Sequence, residues 1–238
     1  MVRILGRDMS SDGTSVELET SSGYRYMAAS EEFLYVAGGG HGGVRRLTHD
    51  GTEVTNWEDL DKLCTHPVLA PGGLLFCVLA DDDYTQDEIV ALDAQTLQPR
   101  HRFGLSLLNC AQGMAVVGDD LFVCDTANHR LQVFSLAGEH RRSITGEWKR
   151  PLTLCFVKDR LYLVEQASYG KDEEGNLINP LQGRRIFVLS LQGDTLQVYT
   201  HPVEGQFFDV SLCCFDKLLA PVRDRFGEFV GVVALFGV

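Results

Sequence analysis

A chain of 238 residues, 45% hydrophobic and 23% charged, can bury a substantial core as one domain spanning 1–238. A net charge of −12 works against sequence-independent binding to nucleic acid or anionic lipid, because both rest on cation-rich surfaces. Seven cysteines, odd in number and without C-x-x-C spacing, read as the buried thiols of a cytoplasmic protein and not as a secreted disulfide framework.

The chain opens on MVRILGRDMSS, where Arg3, Arg7 and Asp8 interrupt any apolar core of signal-peptide length. Within this N-terminal segment, 1–23, GRDMSSDG is followed by TSVELET, in which Val16 and Leu18 alternate with polar neighbours as in a strand. From residue 24 a pattern repeats. Short apolar pieces (MAAS, VLAP, MAVV, TLCF, SLCC) precede the runs FLYVAG, LLFCVL, DLFVCD, RLYLVE and KLLAPV, which hold Leu34, Leu75, Leu121, Leu161 and Leu218. After a turn come VRRLTHDG, IVALDAQT, LQVFSLAG, IFVLSLQG and VGVVALFG, aligning Leu47, Leu92, Phe134, Leu189 and Val233. More polar runs such as EHRRSIT and DTLQVYT follow. The longest uncharged stretch, CTHPVLAPGGLLFCVLA, is broken by Pro67, Pro71, Gly72 and Gly73, so it reads as two strands and a turn and not as a membrane span.

Each unit is therefore four antiparallel strands, rich in β-branched and aromatic residues, with no helical periodicity to compete. One such sheet cannot cover both of its faces. Stacking the sheets radially does so, which predicts an all-β propeller of five recognised four-stranded blades, with six blades or an open arc as alternatives. The last blade lacks its own fourth strand, and 14–20 is expected to pair antiparallel with 230–236 and close it, relieving an open edge.

The third unit, GMAVVGDDLFVCDTANHRLQVFSLAG, resembles an NHL repeat: a small apolar strand, a strand ending in Val-x-Asp, an Asn-His-Arg turn, an apolar strand and a closing Gly. The resemblance implies that Asp125, Asn128 and Arg130 organise the turn between second and third strands, with His129 packing beside it. It also implies that such turns share one face with the crossings between blades, around the mouth of a central channel. His41 in GGGHGG, the acidic tip Asp81, Asp82 and Asp83, Asn128 and His129 would then crowd that face. Tyr169, Asp172 and Glu173 of the long fourth-unit loop, 167–184, would join them, as would Asp224 and Arg225 of the fifth.

GGGHGG matches a dinucleotide fingerprint formally, but a strand follows it where a helix N-terminus is needed, so it reads as a turn. Asp81 and Asp83, with His41, are weak candidates for a metal; the carboxylates supply hard oxygens but lack EF-hand spacing. No G-x-S-x-G, H-E-x-x-H or P-loop occurs. The expectation is a monomeric, non-catalytic scaffold without cofactor, binding a protein or peptide partner through its loop face. It is not expected to bind nucleic acid, despite the arginine pairs 45–46, 141–142 and 184–185, or membrane. The alternative is a metal-dependent lyase or hydrolase acting at the central channel.

Overall fold

The computed structural model describes residues 2–3, 15–16, 26–38, 43–81, 86–167, 170, 173–174, 181–200, 206–207, 211–213, 217–223 and 229–235. Before residue 26 and after residue 200 only backbone pairing is described. The chain divides into two compact units, Met1–Cys110 and Ala111–Val238.

The first unit begins with β1 (Val2–Arg3) paired to β2 (Ser15–Val16). The segment expected to close the last blade is thus described only at Ser15–Val16, whose recorded partner is β1; 14 and 17–20 lie outside the described residues. Two four-stranded meanders follow. One contains β3 (Tyr26–Ala29), β4 (Phe33–Ala37), β5 (Gly43–Thr48) and β6 (Glu53–Glu58). The next contains β7 (Leu63–Ala70), β8 (Leu74–Ala80), β9 (Asp87–Asp93) and β10 (Pro99–Leu108).

The second unit repeats the plan twice. Its first sheet runs β11 (Ala111–Val117), β12 (Asp120–Asp125), β13 (Arg130–Ser135) and β14 (His140–Thr145). Its second runs β15 (Pro151–Val157), β16 (Arg160–Glu165), β17 (Arg185–Leu189) and β18 (Thr195–Thr200). In its third sheet, β19 (Gln206–Phe207) and β20 (Ser211–Cys213) both pair with β21 (Lys217–Arg223), whose other edge pairs with β22 (Phe229–Leu235). The inner strand is thus described at 206–207 and 211–213, and the described sheet is three strands deep.

The repeat alignment is a cross-strand register. Leu34 faces Leu47, Leu75 faces Leu92, Leu121 faces Phe134 and Leu161 faces Leu189. The fifth pair is corrected: Leu218 faces Leu235, while Val233 faces Ala220, so the last repeat aligns two residues further on than its sequence suggests. A shift by two keeps the same face of a strand, which is why the apolar pattern alone does not detect it.

Second strands read as continuous apolar runs because both of their faces are covered. Between the first two sheets, Tyr35, Ala37 and Val44 meet Cys64, Leu75, Cys77 and Leu92. Within the second unit, Phe122, Cys124, Leu131 and Val133 pack with Leu161, Leu163, Phe187 and the fully buried Trp148. Fourth strands are more exposed, as in β6 and β18, and reach the core only through single residues such as Ile144 of β14 and Trp57 of β6. The closing glycines have a backbone reason. Gly51, Gly138 and Gly193 all have positive φ, and each donates its N–H to the carbonyl three residues back, forming a tight turn after a third strand. In the second sheet Leu97 takes this left-handed place, one residue beyond the aligned Thr96, and its side chain is buried.

Candidate functional site

The turn after β12 is built on a buried acid. Asp125 is 0% exposed, and its carboxylate accepts from Asn128 Nδ2 at 2.9 and 3.0 Å and from Arg130 Nε at 2.7 Å. A single 3₁₀ turn, Thr126–Asn128, brings Asn128 back over the acid, and His129 ends it in the left-handed region at φ 57°. Polar satisfaction of a buried carboxylate thus shapes the loop. Gln132 extends the network with its amide oxygen toward Arg130 Nε (3.0 Å) and Nη2 (2.8 Å). Its amide nitrogen then donates to Ser143 Oγ (2.6 Å) and His140 Nε2 (2.8 Å), so both ends are complementary.

The fourth sequence repeat reuses the device. Glu165 ends β16 as Asp125 ends β12, and it is also 0% exposed. Arg185 opens β17 and grips Glu165 with two bonds, Nε to Oε1 at 2.7 Å and Nη2 to Oε2 at 2.9 Å. Lys149 N–H donates to the same carboxylate at 3.0 Å and Gly183 N–H at 3.4 Å. Charge-assisted bonds of this kind fix geometry strongly. The neck of the long loop is therefore anchored: Gln182 Nε2 donates to the Gln166 carbonyl at 2.7 Å, and Gly183 (φ +84°) sits where a Cβ would come within 2.6 Å of Ala167 Cα.

These two turns meet through the crossing 146–151. Arg150 N–H donates to His129 Nδ1 at 3.0 Å, Arg150 Nε to Gln166 Oε1 at 2.5 Å, and Gln166 N–H to the Arg150 carbonyl at 2.8 Å. Thr126 Oγ1 donates to the Pro151 carbonyl at 2.6 Å. The result is a polar surface of exposed Asn128 and His129 with partly exposed Arg150 and Gln166, backed by the buried Gln182 and two buried acids. Such a surface offers hydrogen-bond donors and acceptors in fixed positions.

The first unit has no acid–arginine pair at the corresponding positions. In its second sheet Leu79 faces Glu88, and Glu88 is reached by Lys62 Nζ at 3.2 Å and Arg102 Nη1 at 3.4 Å. Arg102 also binds Asp59 at 2.7 Å. On the inner strands, Tyr26 and His66 place their ring centroids 3.7 Å apart, with His66 Nδ1 3.1 Å from Thr65 Oγ1. Enclosure by its neighbours pushes the His66 pKa down to about 3. Burial raises the Cys77 thiol well above its ordinary value, and Cys124 likewise, the latter also opposed by the neighbouring Asp125 carboxylate.

Of the residues proposed from sequence, Asn128 and His129 share the turn just described, where Asn128 is committed to Asp125. Asp81 follows β8 and is partly exposed, and Glu173 is exposed. His41, Asp82, Asp83, Tyr169, Asp172, Asp224 and Arg225 lie outside the described residues. Among the described residues no group of three or more His, Cys, Asp or Glu side chains is placed to hold a metal ion. Sequence reasoning missed Glu165 and Arg185. The available signal was positional, since RLYLVE ends on an acid where DLFVCD does, but the long loop separates Glu165 from its arginine by twenty positions, against five in the third repeat.

The NHL repeat family matches residues 108–134, the stretch that builds the Asp125 turn. No functionally curated protein matches the chain in sequence. Similar folds include a protein of unknown function from Bacteroides caccae, with 13% identity over 99% of this chain and 91% of that one at a TM-score of 0.66. Virginiamycin B lyase from Staphylococcus aureus is similar at 12% identity over 89% of this chain and 69% of that one, TM-score 0.63. Glutaminyl cyclase from Myxococcus xanthus is similar at 10% identity over 91% and 97%, TM-score 0.58. Residues 108–134 match an NHL repeat, and the chain has the all-β fold of a β-propeller.

Proposed function

We propose that the protein is a non-catalytic β-propeller scaffold that binds a protein or peptide partner through its loop face. The observation that carries this reading is the pair of buried acids beneath the turns. Asp125 and Glu165 use their carboxylates internally, holding Asn128, Arg130, Arg185 and the backbone of Lys149 in place. The exposed His129 and the partly exposed Arg150 and Gln166 are polar side chains on anchored backbone. Rigid presentation of hydrogen-bonding groups lowers the ordering cost of association.

The test is affinity capture with the full chain, comparing the unaltered protein with His129→Ala/Arg150→Glu and with Asp159→Ala, which lies at the far end of the fourth repeat's strands. Support is a partner lost with the first variant and kept with the second. Capture unaffected by the loop-face variant overturns the reading.

A second reading, a metal-dependent lyase or hydrolase acting at the central channel, draws on the lyase and the cyclase among the similar folds. Metal analysis of the purified protein tests it: one stoichiometric zinc or calcium, lost together with a measurable activity on chelation, would favour the enzyme.

A further inference from the structure

The crossing 146–151 leaves an unbalanced set of hydrogen-bonding groups around Arg150. His129 Nδ1 accepts the Arg150 backbone N–H, so the ring proton sits on Nε2, which is a donor. Gln166 Oε1 accepts from Arg150 Nε, so the amide end left over is its NH2, again a donor. Arg150 has committed Nε to that bond, and its two Nη groups have no partner among the described residues. Lys149 is exposed; its backbone N–H is held by Glu165, and its ammonium is likewise unpaired among the described residues. The two acids beneath do not neutralise these cations, because Asp125 is matched by Arg130 and Glu165 by Arg185. Exposed Glu147, two residues from Lys149, makes no ion pair with either cation. On a chain of net charge −12, this seam between the third- and fourth-repeat sheets thus combines two unpaired positive charges with two neutral donors. Asn128 supplies one acceptor: both of its bonds to Asp125 come from Nδ2, which leaves Oδ1.

We propose that this seam is a carboxylate receptor and that the partner docks on it through an acidic peptide segment. An Asp or Glu side chain of that segment is taken end-on by the two Nη groups of Arg150, beside His129 Nε2–H, the Gln166 amide and the Lys149 ammonium. The proposal rests on the loop-face reading and gives its partner a chemistry. A guanidinium meets a carboxylate with two parallel bonds, and the Nε bond to Gln166 already fixes the plane of the fork. The range of the charges favours a peptide over a polyanion. At physiological ionic strength attraction between exposed charges fades over about 8 Å, so a single carboxylate responds to the cations of the seam. A nucleic acid laid across the chain would meet its net negative charge instead. Asn128 Oδ1 suits the backbone N–H that accompanies a peptide carboxylate, a group that inorganic phosphate lacks.

The test titrates the full chain at neutral pH with the blocked tripeptide acetyl-Gly-Glu-Gly-amide, followed by NMR. One charge-assisted contact set of this kind should saturate with a Kd on the order of 10 mM. Resonances of 128–130, 149–151 and the Gln166 side-chain amide should move, while the core strand 121–124 stays still. Acetyl-Gly-Gln-Gly-amide should bind at least tenfold more weakly. Arg150→Met should weaken the Glu peptide at least as much, and Arg150→Lys, which keeps the charge without the fork, should fall between. Equal shifts with the Glu and Gln peptides, or binding indifferent to Arg150→Met, overturn the proposal; inorganic phosphate bound more tightly than the Glu peptide overturns the peptide as occupant. Failure here is distinct from failure of the partner reading. Capture that depends on His129 and Arg150 without Glu-peptide binding keeps the loop face and removes the carboxylate, whereas Glu-peptide binding with capture indifferent to those residues does the reverse. If Arg150→Met unfolds the chain, the ratio of Glu- to Gln-peptide affinity decides alone.

Discussion

Asp125 and Glu165 hold the same place in two successive sheets, each the buried last residue of a second strand and each gripping the arginine that opens the third. The two acid–arginine pairs do the same work on loops of very different length.

Arg130→Met leaves the Asp125 carboxylate buried with the Asn128 amide still donating to it. Removing one partner of a buried ion pair is strongly destabilising, and a loss of about 3 kcal/mol is expected in urea denaturation, the low end of such effects because Asn128 stays. A double-mutant cycle with Asp125→Ala should return a coupling of about 1–3 kcal/mol. Additive effects would mean the pair is incidental.

Leu121→Ala should cost about 2–5 kcal/mol, since Leu121 is fully buried opposite Phe134 and truncation leaves a cavity. Denaturation curves showing a loss below about 0.5 kcal/mol would place this repeat position outside the core.

How far the sequence discloses this molecule depends on the range of the interaction. Strand order and the Leu121–Phe134 type of register are legible because they rest on local apolar runs closed by a turn glycine. Asp125, Asn128 and Arg130 are legible together because they fall within six residues. The register of the last repeat is not, since a shift by two preserves the alternation that would reveal it. The contacts of Arg150 with His129 and Gln166 span 21 and 16 residues and join different sheets, and no periodicity encodes them. His66 is similarly hidden: its depressed pKa comes from neighbours, and the ring it packs on, Tyr26, belongs to another sheet.

His66 makes a pH signature. Its folded-state pKa of about 3 lies below the ordinary 6.5, so the unfolded chain takes up the proton first. Its contribution to stability is complete above pH 6.5 and falls as pH drops toward 3, by at most about 1.4 kcal/mol per pH unit for one proton. His66 as a residue is only partly buried, which makes that slope an upper limit. Asp50 and Asp93 are held below the usual carboxylate range by their hydrogen bonds, Asp50 with Thr48 and Asp93 with Arg100, and so add their losses only below about pH 4. Denaturation between pH 7 and 4.5 should therefore show a decline that His66→Gln flattens. An unchanged slope in that variant would assign the decline elsewhere.

Hydrogen exchange at the loop neck tests most directly whether a buried acid organises the turn face. Glu165 accepts from the N–H groups of Lys149 and Gly183, and both should be protected well beyond exposed-loop rates. Glu165→Gln keeps the side chain's size but weakens these bonds and the grip on Arg185. Exchange in 146–151 and 181–185 should then quicken at least tenfold, while the core strand 121–124 stays unchanged. Neck amides that exchange at unprotected rates in the unaltered protein, or that ignore the substitution, would contradict the account.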